Sequence, residues 1–552
     1  MTKLIQKPAD SFQTLINYSI GVFLVLTWFF GLIAPITSDA GKYAAISRII
    51  YETGDWVNLK IHFEPYLEKP PLLFWITTPF YFIFGPTGFA FKFPVLLYSG
   101  IAVYSTYRFT RLYYTQKTAA VAALMLATSE FYFLFHNDIH TDSLLTANVI
   151  FSVWQLAEYF KTKKLPNMLL AGLGIGLGII SKGPIGVFVP VTAAVSHLVY
   201  HKQLKLVFSY KVALGAVFTL AVLAIGLAGI FNQFGVDGLS YFFWGNNVGR
   251  ITGAIKGGST DYLFYFHTAL YIFLPWAVLF FIGLFMEFKT LFKSKTPELF
   301  TLGGIFFYWI IISVAKAKAP HYFMVLSPFM AVLSAKWLLY FFEEKPSPGM
   351  QKTIGKIQGF VNAFLWIALF AMCIYFFPSK NILFWLAVAV LLFLFFLAGK
   401  SDNKLNRIIQ KSVIAIISLN LALNAHLFPK IFTYHAVIPA CEIFNEQAEA
   451  GEMLNMYESE HRELYFYAKN PGYFLYDSED LKKCLARKND WIFTNDEGLE
   501  EIEQSTAKVE LIQSFKHRSL SKLTPGFINP ATREQRLSNM HLVKITEPAR
   551  KF

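Results

Sequence analysis

Charge is what this chain has least of. Only 15% of its 552 residues are Asp, Glu, Lys or Arg, where soluble domains carry about 25%. Hydrophobic residues make up 55% and aromatic residues 18%, with 58 Phe. The shortage excludes an ordinary water-soluble protein and leaves one that crosses a membrane many times. Cysteine is scarce as well, and three of them supply no metal framework. Cys373 lies inside an apolar run, whereas Cys441 and Cys484 fall near the C-terminus and can pair if that region faces an oxidising compartment. No basic tract is interleaved with aromatics, so the net charge of +13 does not point to nucleic acid. There is no internal repeat and no low-complexity linker. No cleavable leader is expected, because Ile16–Ile36 is long enough to span and no cleavage site follows it.

What is there is hydrocarbon. A helix needs about 20 residues to cross a bilayer. Thirteen apolar runs of roughly that length lie near 16–37, 92–108, 118–135, 142–160, 166–182, 184–200, 211–233, 263–286, 299–315, 322–342, 357–377, 380–399 and 411–428. A fourteenth, Leu72–Phe84, is shorter and is bounded by Pro70-Pro71 and Gly85-Pro86. If it lies along the surface, every even-numbered connection is basic, such as Lys161, Lys163 and Lys164, or Lys400, Lys404, Arg407 and Lys411. Basic loops stay cytoplasmic. The sequence therefore predicts about 13 transmembrane helices, a cytoplasmic N-terminus and an external C-terminus. Residues 1–429 carry a net charge of +16 and form the membrane domain, including an outer loop at 38–91; residues 430–552 carry −3 and form a soluble, periplasmic α/β domain. In that tail Glu463–Ala468, Tyr473–Tyr476, Trp491–Thr494, Lys508–Ser514 and His541–Ile545 read as strands. Ser478–Arg487 and Glu497–Gln504 read as helices.

The charges that do occur near spans gather at one rim. Asp39 follows the first span, and Tyr66-Leu67-Glu68-Lys69-Pro70-Pro71 comes about thirty residues after that span. The prolines fix their own backbone and restrict the residue before them, which presents Glu68 and Lys69 at a rigid corner. Asp39 or Ser38 also suits a helix cap. Asp138-Ile139-His140-Thr141-Asp142 has alternating metal-ligand types, yet Asp142 at a helix start also gains from the dipole. Lys182 and Arg250 can each snorkel or meet a phosphate. Lys316, Lys318, His321 and Tyr322 lie on the outer side, against the positive-inside trend. Channels and pumps more often place charge at mid-membrane, so the rim suits an enzyme working on lipid-linked substrates.

In order, these motifs are Asp39-x-x-x-Tyr43, Gly54-Asp55-Trp56-Val57, Glu68-Lys69-Pro70-Pro71, Asp142, Lys182-Gly183, Phe242-Phe243-Trp244 to Arg250, and Lys316-x-Lys318-x-Pro320-His321-Tyr322. Together they resemble the bacterial aminoarabinose transferases that modify lipid A and, more broadly, protein O-mannosyltransferase-like integral-membrane glycosyltransferases with a GT-C-like fold. The resemblance runs from about 15 to 345. It implies inverting transfer of a sugar from a polyprenyl-phosphate donor to a lipid A-like acceptor on the outer face of the bacterial inner membrane. It implies catalytic roles for Asp39 and Asp142. It implies substrate binding by Glu68, Lys69, Lys182, Arg250, Lys316, Lys318 and Tyr322. Glu68 matches a carboxylate associated with a metal, with Asp138 and His140 as further candidates. Two positions depart from the pattern: Ala40 replaces a Glu, and Asn246-Asn247 replace Glu-His. The second change removes a metal ligand, so no cofactor is assigned. The alternatives are transfer to a secreted polypeptide, a lipid-glycan transporter, and a non-catalytic lipid-binding scaffold. The partners expected are the donor, a lipid or protein acceptor and membrane lipids.

Overall fold

The computed structural model describes residues 8–252, 259–293, 296–519 and 523–549. Helices dominate, as the apolar runs require: a backbone in hydrocarbon must satisfy its hydrogen bonds within its own segment. Each of the thirteen runs is largely helical. Among the described residues, eight helices are long and apolar enough to cross a membrane, including Gln13–Ile33, Gly88–Tyr113, Leu165–Lys182 and Lys404–Phe432. Leu72–Phe84, Ile185–Tyr200, Phe300–Val314 and Ile382–Ala398 are apolar but shorter. The Leu72–Phe84 helix has 13 residues. At 1.5 Å per residue it reaches about 20 Å, short of the roughly 30 Å hydrocarbon layer. It instead packs between the Ser38–Thr53 and Gly88–Tyr113 helices and buries Leu73 and Phe74 fully.

The first helix ends at Ile33, and Lys92 stabilises that end. Its buried ammonium donates to the carbonyls of Gly31 and Ala34, each at 3.0 Å. Carbonyls left over at a helix C-terminus need such partners. The next helix, Ser38–Thr53, opens without a side-chain cap, and Asp39 sits in its first turn. The capping role expected of Ser38 or Asp39 is therefore not seen. The helix stops at Gly54, whose φ of 72° suits glycine and whose N–H closes onto the Ile50 carbonyl. A short antiparallel hairpin follows, β1 (Lys60–Ile61) with β2 (Glu64–Pro65).

The tail holds a five-stranded mixed sheet made of β3 (Leu454–Tyr457), β4 (Pro471–Leu475), β5 (Trp491–Asn495), β6 (Lys508–His517) and β7 (Ser538–Glu547). Its order is β4-β3-β5-β7-β6. β3 runs parallel to β4 and β5, while β7 is antiparallel to β5 and β6, with Ile492 opposite Val543. The two faces carry separate cores. Trp491, Phe493 and Leu542 pack with the Val437–Gln447 helix. Ile492, Val543 and Ile545 pack with Leu481 and Ile502 of the two predicted helices, Ser478–Leu485 and Asp496–Glu503.

Two expectations for the tail fail. Glu463–Ala468 is no strand: Leu464–Tyr467 is a helical turn. The edges of β3 are already taken by β4 and β5, and Arg48 donates to the carbonyls of Phe466 and Ala468 at 2.9 and 2.6 Å. Cys441 and Cys484 are buried free thiols, each in the core on a different face of the sheet.

The tail packs closely against residues 36–48. Tyr467 Oη accepts from the Ile36 N–H at 2.8 Å and donates to the Ile36 carbonyl at 2.9 Å. A Cβ on Gly41 would lie 2.4 Å from Glu463 Cβ and 2.8 Å from its Cα. Gly41→Ala is therefore expected to loosen the tail by about 1–3 kcal/mol, the usual cost of overpacking. The corresponding change at Gly88, where a Cβ meets nothing nearer than 3.8 Å, is expected to be tolerated. Melting temperature and the rate of proteolysis in the tail, compared for the two variants, check this.

Candidate active site

At one end of the helices lies a cavity of about 430 Å³ lined by Asp39, Lys92, Asn137, Asp138, His140 and Phe135, among others. The Asp39 side chain is 53% exposed. Beside it lies Lys42, one turn later on the same helix face and only 3% exposed. The Lys42 ammonium stands 3.5 Å from Asp39 Oδ1 and 2.7 Å from Glu68 Oε2. It also faces the rings of Tyr43 and Tyr66 at 5.4 and 5.8 Å. A buried ammonium is costly unless paired, and here two carboxylates meet it.

Glu68 is gripped from the other side by the tail. Arg462 Nη1 lies 3.7 Å from Glu68 Oε1, and the Asn246 amide donates to the Glu68 carbonyl at 3.1 Å. Partial burial alone would raise the Glu68 carboxyl, but the hydrogen bond and charge of Lys42, with Arg462 and Lys69, outweigh it and hold it below the usual range. This ion pair is therefore fully formed above the ordinary carboxylate pKa and is lost as pH falls through the depressed value. Lys69 is half-buried at the same corner. The next residue, Glu463, is buried, and its carboxylate meets His435 Nε2 at 3.0 Å and His461 Nδ1 at 3.7 Å. Burial would raise Glu463; the two histidines prevail and hold it far below the carboxylate range.

A second cluster joins two helix ends. Asp142 opens the Asp142–Thr162 helix, and Lys182 closes Leu165–Lys182. Both Asp142 oxygens accept from Lys182 Nζ, at 2.5 and 2.6 Å, and the same ammonium faces the Tyr322 ring at 4.3 Å. The Tyr308 hydroxyl holds the Tyr322 carbonyl at 2.9 Å. Asp142 is 1% exposed, so it balances Lys182 more than it faces the cavity. His140 pairs with Asp138 at 3.1 Å and stacks on His321 with centroids 4.2 Å apart. Burial would lower the His140 pKa, yet the Asp138 charge and hydrogen bond raise it above the imidazole norm.

Other expected residues stand apart. Lys318 Nζ donates to the Ala315 and Ser313 carbonyls at 2.5 and 2.9 Å, capping the end of the Phe300–Val314 helix instead of facing the acidic cluster. Lys316 is exposed, and its carbonyl accepts from the Ser259 N–H at 2.9 Å. Arg250 belongs to the Asn246–Thr252 helix, and its side chain lies outside the described residues. Among the described residues, no group of three or more His, Cys, Asp or Glu is arranged to hold a metal. Glu68 is not brought together with Asp138 and His140; both of its oxygens meet cations instead. The donor set present does not fit the metal that the resemblance associates with Glu68.

Sequence reasoning missed Lys42, Lys92 and Arg462. The i,i+3 spacing from Asp39 was a usable sign for Lys42. Lys92 was hidden at the edge of an apolar run. Arg462 follows Glu68 by nearly four hundred residues, and nothing local connects them.

Residues 68–228 match the family described as dolichyl-phosphate-mannose-protein mannosyltransferase. The crystal structure of ArnT from Cupriavidus metallidurans bound to undecaprenyl phosphate superposes with a TM-score of 0.75, covering 95% of this chain and 97% of that one at 16% identity. This chain has the fold of an integral-membrane C-type glycosyltransferase. Two undecaprenyl phosphate-alpha-4-amino-4-deoxy-L-arabinose arabinosyl transferases are also similar to this chain. The one from Proteus mirabilis is 26% identical over 360 residues, 63% of each chain. That from Yersinia enterocolitica is 29% identical over 332 residues, 57% of this chain and 58% of its own. The chain thus spans a little under two thirds of the length of these relatives.

In this C-type fold the Asp142–Lys182 pair is buried, so removing one partner strands the other. Lys182→Ala is expected to cost about 3–5 kcal/mol. The double variant Asp142→Asn, Lys182→Met is expected to recover most of that. Melting temperatures of the purified single and double variants decide it.

Proposed function

We propose that this chain is a glycosyltransferase that moves a sugar from a polyprenyl-phosphate donor to a lipid A-like acceptor, with inversion, at the outer face of the bacterial inner membrane. The observation that carries the reading is Asp39: a carboxylate half open to an outer-end cavity and held by a buried lysine that also binds Glu68. A helix cap alone does not account for it, since no side chain caps that helix.

The reaction follows from charge. An acceptor oxygen forms a bond to the anomeric carbon from the face opposite the phosphate. The anomeric C–O bond breaks, and its electron pair leaves on the polyprenyl phosphate. Cations set in advance around that phosphate stabilise the charge it gains. Lys69, Lys182, Arg250 and Tyr322 take this role. Lys182 brings its charge already balanced by Asp142, so it adds hydrogen bonding more than net positive charge. Asp39 takes the acceptor's proton if the acceptor is a hydroxyl. An ionised phosphate acceptor carries none, and Asp39 then faces the positive charge developing at the anomeric carbon. Lys42 is a positioning residue that keeps Asp39 and Glu68 in register. The names of the similar proteins favour a lipid-linked aminosugar donor, and the family name leaves a protein acceptor as the runner-up. A transporter is disfavoured because the site residues gather at one end of the helices.

Residues 1–429 then form the membrane domain and 430–552 a periplasmic domain that completes its outer face. A phosphatase fused after Phe428 is expected to be active, and one fused between Lys400 and Lys411 inactive. The reverse pattern would overturn the topology.

Turnover and binding assays with an undecaprenyl-phosphate sugar and lipid A test the chemistry. Asp39→Asn is expected to lower turnover by about a hundredfold or more while donor binding persists. Lys69→Ala removes a charge-assisted contact of about 1.5–3 kcal/mol and is expected to weaken donor binding roughly tenfold or more. A chelator is expected to leave turnover essentially unchanged. Full activity in Asp39→Asn protein would sink the reading, and transfer to a polypeptide but not to lipid A would select the runner-up.

A further inference from the structure

A second cavity, of about 360 Å³, lies in the seam between the first outer loop and the tail. It falls within the ~300–1,000 Å³ typical of small-molecule sites. Lys42 and Glu68 form one wall, and Arg462, Tyr465, Tyr473 and Tyr476 form the other. The seam is built. The His62 ring meets the Pro471 carbonyl at 3.0 Å, stacks on Tyr465 with centroids 5.0 Å apart and meets the edge of Tyr473 at 5.2 Å. Tyr66, also lining the cavity, is 5% exposed, and its hydroxyl has no hydrogen-bond partner.

The lining selects a chemistry. Its charges are largely balanced within the wall: Arg462 meets Glu460 at 2.9 Å and Glu68 at 3.7 Å, and Lys42 meets Glu68 at 2.7 Å. A free anion finds little uncompensated positive charge here. Many hydrogen-bonding groups remain, and exposed tyrosine rings stand among them; Tyr473 and Tyr476 are 44% and 74% exposed. A saccharide needs this combination: flat rings against its C–H faces, and paired charged groups for its hydroxyls. The cavity also adjoins the transfer centre, since the lysine in its wall is 3.5 Å from Asp39. Asp142, Lys182 and Tyr322 do not line it.

We propose that this seam is the subsite for the saccharide headgroup of the acceptor, so that the tail domain takes part in acceptor recognition. The inference rests on the glycosyltransferase reading and deepens it. The donor lies on the Lys182 side of Asp39, and the acceptor sugar enters between loop and tail.

Two measurements test it. The first is steady-state transfer with Tyr473→Ala and Tyr476→Ala, varying lipid A and the undecaprenyl-phosphate sugar separately. The KM for acceptor is expected to rise about fivefold or more, in keeping with loss of a ring contact, while the KM for donor stays put. Tyr473→Phe is expected to keep the wild-type acceptor KM, which a loss of folding would not allow. An unchanged acceptor KM, or an equal rise in both KM values, would overturn the subsite. The second measurement needs no turnover: saturation-transfer NMR of the full-length protein with the deacylated, phosphorylated glucosamine disaccharide of lipid A. Contact to that disaccharide in wild type, lost in Tyr473→Ala, supports the subsite even if the chain transfers no sugar. Absence of contact in wild type, with no change in acceptor KM, overturns it while leaving the transferase reading intact.

Discussion

The structure of the candidate site depends on one buried ammonium. Lys42 lies on the Ser38–Thr53 helix with almost no access to water, and Asp39 and Glu68 neutralise it. Taking a charge out of water is repaid only when its partners are held in good geometry. That demand ties three remote stretches of chain together. Asp39 comes from the turn after the first span, which Lys92 secures at the carbonyls of Gly31 and Ala34. Glu68 comes from the proline-fixed corner that opens the Leu72–Phe84 helix. Arg462 arrives from the tail and takes the other oxygen of Glu68.

The tail is therefore less an appendage than the lid of the site. Gly41 lets Glu463 approach at backbone distance, Tyr467 brackets Ile36, and Arg48 holds the carbonyls at the end of the Leu464–Tyr467 turn. All three contacts fall on the segment that carries Asp39 and Lys42. Polar contacts of this kind set orientation, and the carboxylate they orient is the one proposed to act. The Asp142–Lys182 pair is organised differently. It sits where two helix ends meet, with Tyr322 beneath the ammonium.

Legibility in the sequence followed the range of the interaction. The thirteen apolar runs became helices because hydrophobic length is a property of consecutive residues. The Leu72–Phe84 segment was short enough, between two proline-bearing turns, to be read as not crossing. Four of the tail's strands were visible as β-branched or aromatic runs. The fifth, Leu454–Tyr457, was not: it is buried throughout, so it shows no alternation, and Asn455 interrupts its apolar character. Leu464–Tyr467 misled for the opposite reason, since an aromatic run looks like a strand, whereas here Arg48 takes the carbonyls of Phe466 and Ala468 that a sheet partner would have taken.

The sequence by itself determined the membrane class, the position of most helices, the gathering of polar groups at one rim and the outline of a mixed tail domain. Those follow from hydropathy and turn chemistry, which act over a few residues. Only the tertiary structure decided that Lys42 joins Asp39 to Glu68, that Lys182 is spent on Asp142, that Lys318 caps a helix, and that Cys441 and Cys484 lie on opposite faces of a sheet. It alone brought Arg462 to Glu68. The physical reason is that a charge inside a protein chooses its partner by distance in space, and nothing in the spacing along the chain records that choice.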